Sequence, residues 1–307
     1  MKDRARLTGV LSPVVTPFHE DLSVDRERLI SHCRWLLSQD CGLALFGTNS
    51  EANSQSLEER MELLEAVVAS GLDPARMMPG TGCCALPDTV RLSSHAVGQG
   101  CAGVLMLPPF YYKGVSDDGL YAYFAEVIER VGDDRLRIYL YHIPPVAQVP
   151  ISLALIEHLL KAYPGTVVGI KDSSGDWNNT RAMIDAFGDS FDVFAGSETF
   201  LLANMRAGGA GCISATANVN PGPIADLARN WETADADERQ EALTRTRKTV
   251  QDSYTMISAL KAVIGQYSGD PAWATVRPPL VRMPADAQRE LKRQLDALGF
   301  AMPGIAG

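Results

Sequence analysis

The stretch Thr166-Val167-Val168-Gly169-Ile170-Lys171-Asp172-Ser173-Ser174-Gly175-Asp176 decides how the chain is read. Its short apolar, β-branched run reads as a strand buried on both faces of a parallel sheet, and the polar Asp-Ser-Ser-Gly segment reads as the turn that ends it. Lys171 then stands at the carboxyl end of that strand with its stem among apolar neighbours. An unperturbed lysine has a pKa of about 10.4 and is a cation at neutral pH, unable to attack a carbonyl. Withdrawal from water disfavours the cation, which is the setting a Schiff-base lysine needs. A solvated cap is the commoner explanation of a lysine ending a strand, so the rest of the chain must decide.

Outward from this strand the pattern repeats. Upstream lie strand candidates at residues 9–15, 42–46, 76–79, 102–107 and 137–141; downstream lie 191–195 and 211–214. Between them run helical stretches at 25–37, 56–69, 86–98, 117–130, 152–162, 177–187 and through Met205, the second opened by Ser56 and Glu59 at capping-box spacing. Strands that alternate with helices form a parallel sheet. No G-x-G-x-x-G opens the first unit and no G-x-x-x-x-G-K-[ST] occurs, so an open nucleotide-binding sheet is disfavoured. Eight strand-helix units instead fit a closed (β/α)8 TIM barrel, whose chemistry sits at the carboxyl ends of its strands. Beyond about Pro221 the segments 224–231, 235–267 and 285–298 read as helices, with an apolar stripe at Leu243, Val250, Ile257, Leu260 and Ile264. The expected division is a barrel over 1–225 and a C-terminal helical extension over 226–307, to which no chemistry is assigned.

Composition narrows the class. A chain of 307 residues with 46% hydrophobic and 21% charged content is that of an ordinary globular protein. A formal charge of -9 disfavours a nucleic-acid or anionic-membrane partner. Lys2, Arg4 and Arg6 precede an apolar stretch, but Pro13 and Pro17 interrupt it and no cleavage pattern follows; with no run of 18 apolar residues anywhere, a cytoplasmic protein is expected. The six cysteines show no C-x-x-C spacing and have no paired histidines nearby, which predicts reduced, mostly buried thiols.

In a barrel the strand-end loops meet at one mouth. They would bring Thr48 and Asn49, the segment Phe110-Tyr111-Tyr112, Tyr141, Lys171, and Ser197 with Glu198. Lys171 and Tyr141 end consecutive strands, so a phenol could serve the amine as proton shuttle while a carbinolamine loses water. The polar Thr48-Asn49-Ser50 turn could point backbone N–H groups and a hydroxyl at a carboxylate.

Gly47-Thr-x-x-Glu51, Pro109-Phe-Tyr-Tyr112, Tyr141-His-Ile-Pro144 and Gly169-Ile-Lys171, in this order and spacing, resemble the dihydrodipicolinate synthase and N-acetylneuraminate lyase family of class I aldolases. Gln55-Ser56-Leu57-Glu58-Glu59-Arg60 is similar to the lyase branch. The resemblance spans about residues 7–225. It implies a (β/α)8 barrel with a helical C-terminal extension, forming a homo-oligomer (dimer or tetramer) and acting on pyruvate or a related 2-oxo acid without metal or cofactor. By the same match Lys171 forms the imine, Tyr141 relays protons, and Thr48 bonds Tyr141 and holds the carboxylate with Asn49. Tyr111 reaches into a neighbouring subunit's site, and Ser197, Glu198 and Ser214 complete the substrate contacts, Glu198 facing a hydroxylated partner.

Two departures bear on the substrate. The synthases usually read Gly-Thr-Thr-Gly-Glu where this chain has Gly47-Thr-Asn-Ser-Glu51. They also carry an arginine for the second substrate's carboxylate where this chain has Val146. Without that bidentate donor an acidic acceptor is not selected, which argues against 4-hydroxy-tetrahydrodipicolinate synthase activity. The expected function is a Schiff-base lyase or aldolase that adds an aldehyde to pyruvate or releases one. The alternatives are the synthase itself, a 2-oxo-sugar-acid dehydratase, or a barrel that binds a 2-oxo acid without turning it over. A metal-dependent aldolase lacks a ligand cluster at the strand ends.

Overall fold

Each βα repeat in the sequence becomes a strand packed under a helix. The computed structural model describes residues 6–188 and 190–305. Among the described residues there are seven strands: β1 (Gly9–Ser12), β2 (Gly42–Leu43), β3 (Val104–Met106), β4 (Ile138–His142), β5 (Val167–Asp172), β6 (Asp192–Ala195) and β7 (Gly211–Ile213). The chain forms two units, residues 6–8 with Asp73–Ile213, and Gly9–Leu72 with 214–305.

In the first unit β3 to β7 pair in parallel in sequence order. Helices Leu86–Gly98, Asp117–Val131, Leu153–Ala162, Trp177–Phe187 and Leu201–Arg206 alternate with this region's strands. The strands are buried almost throughout, as a sheet covered on both faces requires. The expected strand at 76–79 is reduced to one parallel bridge, Gly80 with Leu105. Pro79 accepts from the Leu105 N–H at 2.9 Å but has no N–H to return, and only Thr81 resumes the pairing, donating to the Leu105 carbonyl at 3.0 Å.

In the second unit β1 and β2 pair in parallel. β1 stops at Ser12 because Pro13 has no donor. The buried Asn218 side chain then takes over the pairing: it accepts from the Val15 N–H at 2.9 Å and donates to the Pro13 carbonyl at 3.0 Å. β2 is short because the chain turns at Phe46, whose φ is 59°. Helix Arg26–Ser38 is capped by Asp25, and helix Leu57–Ala69 has the anticipated capping box: Glu59 N–H to Ser56 Oγ at 3.1 Å, and Ser56 N–H to the Glu59 carboxylate at 2.9 Å. Such a cap is worth about 1 kcal/mol.

The C-terminal region is helical, with helices Pro221–Arg229, Ala236–Gln251, Met256–Ser268 and Ala285–Ala297. The single helix expected over 235–267 is two. Asp252-Ser253-Tyr254-Thr255 breaks it: the Ser253 hydroxyl bonds back to the Val250 carbonyl at 2.7 Å, the competition with helical pairing typical of such residues. No helix among the described residues is long and apolar enough to cross a membrane. Cys33, Cys41, Cys101 and Cys212 are buried thiols outside any disulfide, and Cys84 is an exposed one.

Candidate active site

Register builds the first part of the site. β4 and β5 are aligned so that Tyr141 lies opposite Lys171 and His142 opposite Asp172. Side chains alternate between the faces of a strand, so the first pair shares one face and the second pair the other. Lys171 Nζ donates to the Tyr141 hydroxyl at 3.2 Å and stands 4.3 Å from the centre of that ring. Both residues are 3% exposed. On its other side Lys171 is aligned with Phe194 of β6, which is fully buried.

Tyr139 lies two residues before Tyr141 on the same face, and its ring needs room. Gly169 and Gly103 provide it: a Cβ on Gly169 would come within 2.5 Å of the Tyr139 ring, and one on Gly103 within 2.8 Å. A side chain at either position would collide with an edge of this ring and with neighbouring backbone, the Asp192 carbonyl for Gly169 and the Arg137 carbonyl for Gly103. The glycine in Gly169-Ile-Lys171 is therefore a packing requirement.

The opposite face locks the strand ends. Asp172 accepts from the Ser174 N–H at 2.9 Å, the Thr180 hydroxyl at 2.6 Å and the Asn179 amide at 3.1 Å. His142 Nδ1 accepts from the Ile151 N–H at 3.0 Å, which places the proton of the neutral ring on Nε2, 3.9 Å from Asp172. Burial pushes the His142 pKa down and Asp172 opposes the shift. Neutral His142 and the saturated Asp172 thus hold β4 and β5 without placing a second base beside the amine.

The remaining residues named from the sequence fall as follows. Ser197 caps the turn Glu198–Phe200, accepting from the Thr199 N–H at 3.2 Å, and Glu198 is buried. Tyr111 and Tyr112 are 73% and 71% exposed and meet edge to face. Val146 is exposed on the helical turn Pro144–Ala147. In the second unit, Thr48 and Asn49 begin a 3-10 turn, Thr48–Ser50, in which the Gly47 N–H donates to Ser50 Oγ at 3.2 Å. Ser214 is buried, and its hydroxyl accepts from Arg247 at 3.0 Å.

With this geometry in view, the comparisons with known proteins are informative. The model of the dihydrodipicolinate synthetase family matches residues 6–298. The chain belongs to that family. A DapA-like lyase of Chloroflexus aurantiacus is 36% identical over 215 residues, 69% of this chain and 71% of that protein. The crystal structure of dihydrodipicolinate synthase from Agrobacterium tumefaciens superposes with a TM-score of 0.88 at 33% identity, covering 95% of this chain and 99% of that one. YagE, a dihydrodipicolinic acid synthase family protein from E. coli K12 solved with pyruvate, has a TM-score of 0.88 at 26% identity, covering 97% and 100%. The fold is therefore the (β/α)8 barrel with a helical C-terminal region. The chain is a lyase of the class I, pyruvate-dependent kind that works through a lysine imine.

For a member of the dihydrodipicolinate synthetase family, the sequence reading overlooked one group of residues. Lys261, on helix Met256–Ser268, is fully buried and paired with the buried carboxylate of Glu51, while Arg277 donates its backbone N–H to the same carboxylate at 3.0 Å. The signal was present: Lys261 interrupts the apolar run Ile257 to Ile264, where a lysine is out of place unless paired.

Proposed function

We propose that Lys171 is the imine-forming residue of this lyase and that Tyr141 is its proton relay. The observation that carries the reading is their contact, 3.2 Å between Nζ and the hydroxyl of two buried side chains in register. The unprotonated amine adds to the ketone carbon of pyruvate, and the carbinolamine loses water as the phenol passes a proton to the departing oxygen. Loss of a methyl proton turns the imine into an enamine, the nitrogen accepting the electron pair. The enamine carbon then attacks an aldehyde, and water cleaves the resulting imine to release the product and the free amine; cleavage runs the same steps in reverse.

Thr48 and Asn49 hold the carboxylate of the bound 2-oxo acid, a role suited to the N–H groups and hydroxyl of a 3-10 turn. Ser197, Glu198 and Ser214 face the aldehyde partner, and Tyr111 serves the site of a neighbouring subunit in a homotetramer, which its 73% exposure favours. The pyruvate in the YagE structure supports pyruvate as donor. Val146 in place of the synthases' arginine counts against an acidic acceptor, and Glu198 favours a hydroxylated one. The working division is a barrel over residues 1–225 with an extension over 226–307, in the cytoplasm.

The test is the intact mass after borohydride reduction with pyruvate. Wild type should gain one reduced pyruvate adduct and Lys171→Ala none. An adduct retained in Lys171→Ala would overturn the assignment.

A further inference from the structure

The Thr48–Ser50 turn is closed by backbone bonds, the Glu51 N–H donating to the Thr48 carbonyl at 3.1 Å, but it ends in a conformation that side chains must help to fix. Glu51, the residue after it, sits in the left-handed region at φ 56° and ψ 35°, where a side chain with a Cβ is disfavoured unless its surroundings fix it. The Ser50 carbonyl is held by the Thr16 hydroxyl at 2.8 Å and the Gln55 amide at 2.7 Å. The Glu51 carboxylate is held from the C-terminal region: Lys261 Nζ bonds one oxygen, and the Arg277 N–H bonds the other at 3.0 Å.

These two cations are themselves fixed. Lys261 also donates to the Thr275 carbonyl at 2.9 Å. The Arg277 guanidinium donates to the Ser54 carbonyl at 2.7 Å, the Leu22 carbonyl at 3.0 Å and the Glu59 carboxylate at 2.9 Å. Both stand over the Phe18 ring, Lys261 at 4.4 Å and Arg277 at 4.5 Å. One aromatic ring and two cations thus pin residues 51 to 59 as a unit.

We infer that Lys261 and Arg277 are positioning residues for the Thr48–Asn49 turn, acting through the Glu51 carboxylate to set the backbone that receives the substrate carboxylate. This rests on the role proposed above for that turn. Stability alone does not account for the arrangement. A buried ion pair is often matched or exceeded by an apolar pair of similar volume, because desolvation offsets the attraction. Helix Met256–Ser268 already has the apolar stripe that a methionine at 261 would continue. What the ion pair adds is direction: it fixes where the Glu51 side chain points, and through φ and ψ of Glu51 the end of the turn beside it.

The experiment uses the full-length chain and compares two ketones in borohydride trapping, pyruvate and hydroxyacetone, which lacks the carboxylate. The double variant Glu51→Leu/Lys261→Met removes the device and leaves an apolar pair. Its half-saturation for pyruvate should rise roughly tenfold or more, the scale expected when a contact is misplaced by about an ångström. The adduct at saturating pyruvate and the trapping of hydroxyacetone should stay at wild-type level. Wild-type half-saturation in the folded double variant, or equal losses for both ketones, would overturn the inference. Glu51→Gln, which keeps shape and removes charge, gives the same ratio a second reading if the double variant does not fold; an unchanged ratio there counts against the inference. No Lys171 adduct in the wild type would overturn the underlying function as well, whereas an adduct with unchanged ratios would overturn this inference alone.

Discussion

Lys171 and Lys261 are both withdrawn from solvent, 3% and 0% exposed, yet the fold gives them different partners. Lys171 faces a phenol at 3.2 Å; Lys261 faces the carboxylate of Glu51. Burial, aided by the nearby Arg277 guanidinium, pushes Lys261 down to about 8 against the opposing pull of that carboxylate. An amine tethered to a carboxylate is held as a cation and serves as a fixed strut. An amine whose partner is a phenol has a neighbour that can take up and return protons, as imine formation requires. The partner, more than the burial, distinguishes a structural lysine from a nucleophilic one.

The largest effects test that contrast directly. Lys171→Ala should lower turnover by roughly a thousandfold or more, as loss of a nucleophile does, and abolish the trapped adduct. Lys261→Met should keep the adduct at saturating pyruvate if the protein folds. Should the folded Lys261 variant lose the adduct and the Lys171 variant keep it, the two roles are reversed. Tyr141→Phe removes the relay and retains the ring; kcat should fall by about 10²- to 10⁴-fold, while the adduct still accumulates on long incubation. A kcat within twofold of wild type would show that the phenol is packing.

Stability should order the pairs the other way. Lys261→Met takes the cation away from the buried Glu51 carboxyl and should cost about 3–5 kcal/mol in denaturant unfolding, most of it regained in the double variant with Glu51→Leu. Lys171→Met removes one hydrogen bond to a neutral phenol and should cost below about 2 kcal/mol. If the two single variants lose equal stability, the distinction between charged and neutral partners does not govern these positions.

Much of this was legible beforehand because it depends on local pattern. The run Val167 to Ile170 before Lys171, the Ser56–Glu59 cap and the repeating strand-helix alternation each follow from periodicity or capping chemistry, and each has its counterpart in the structure. The Tyr141–Lys171 pairing followed from consecutive strands being neighbours. The contact of Glu51 with Lys261 joins residues 210 positions apart, and no local rule forecasts which carboxylate a buried lysine meets. The third strand failed for a different reason: the Met77-Met78 run looks like a strand by hydropathy, but Pro79 removes the donor on which pairing depends. The break at 252–255 was obscured because apolar spacing continues through it.

The smallest effect carries the comparison to histidine. His32 and His142 are both buried, and burial lowers both pKa values. His142 has Asp172 at 3.9 Å to favour its charged form, whereas His32 has the neutral Asn218 carbonyl oxygen at 3.4 Å, packs against Trp35 and Trp273, and has no partner at Nδ1 among the described residues. His32 is accordingly pushed down to about 4. Because its folded value lies below the unfolded 6.5, the unfolded chain binds the proton more readily. The contribution to stability is therefore complete above pH 6.5 and is lost as pH falls toward 4, about 3 kcal/mol over the window. Replacing His32 by Gln should flatten the dependence of unfolding free energy on pH between 6.5 and 4 by about that amount. The same change at His142 should flatten it less, since Asp172 already offsets part of the burial. If His142→Gln flattens the curve more than His32→Gln does, a carboxylate at 3.9 Å is too distant to act as a partner, and the rule drawn from the two lysines holds only for direct contact.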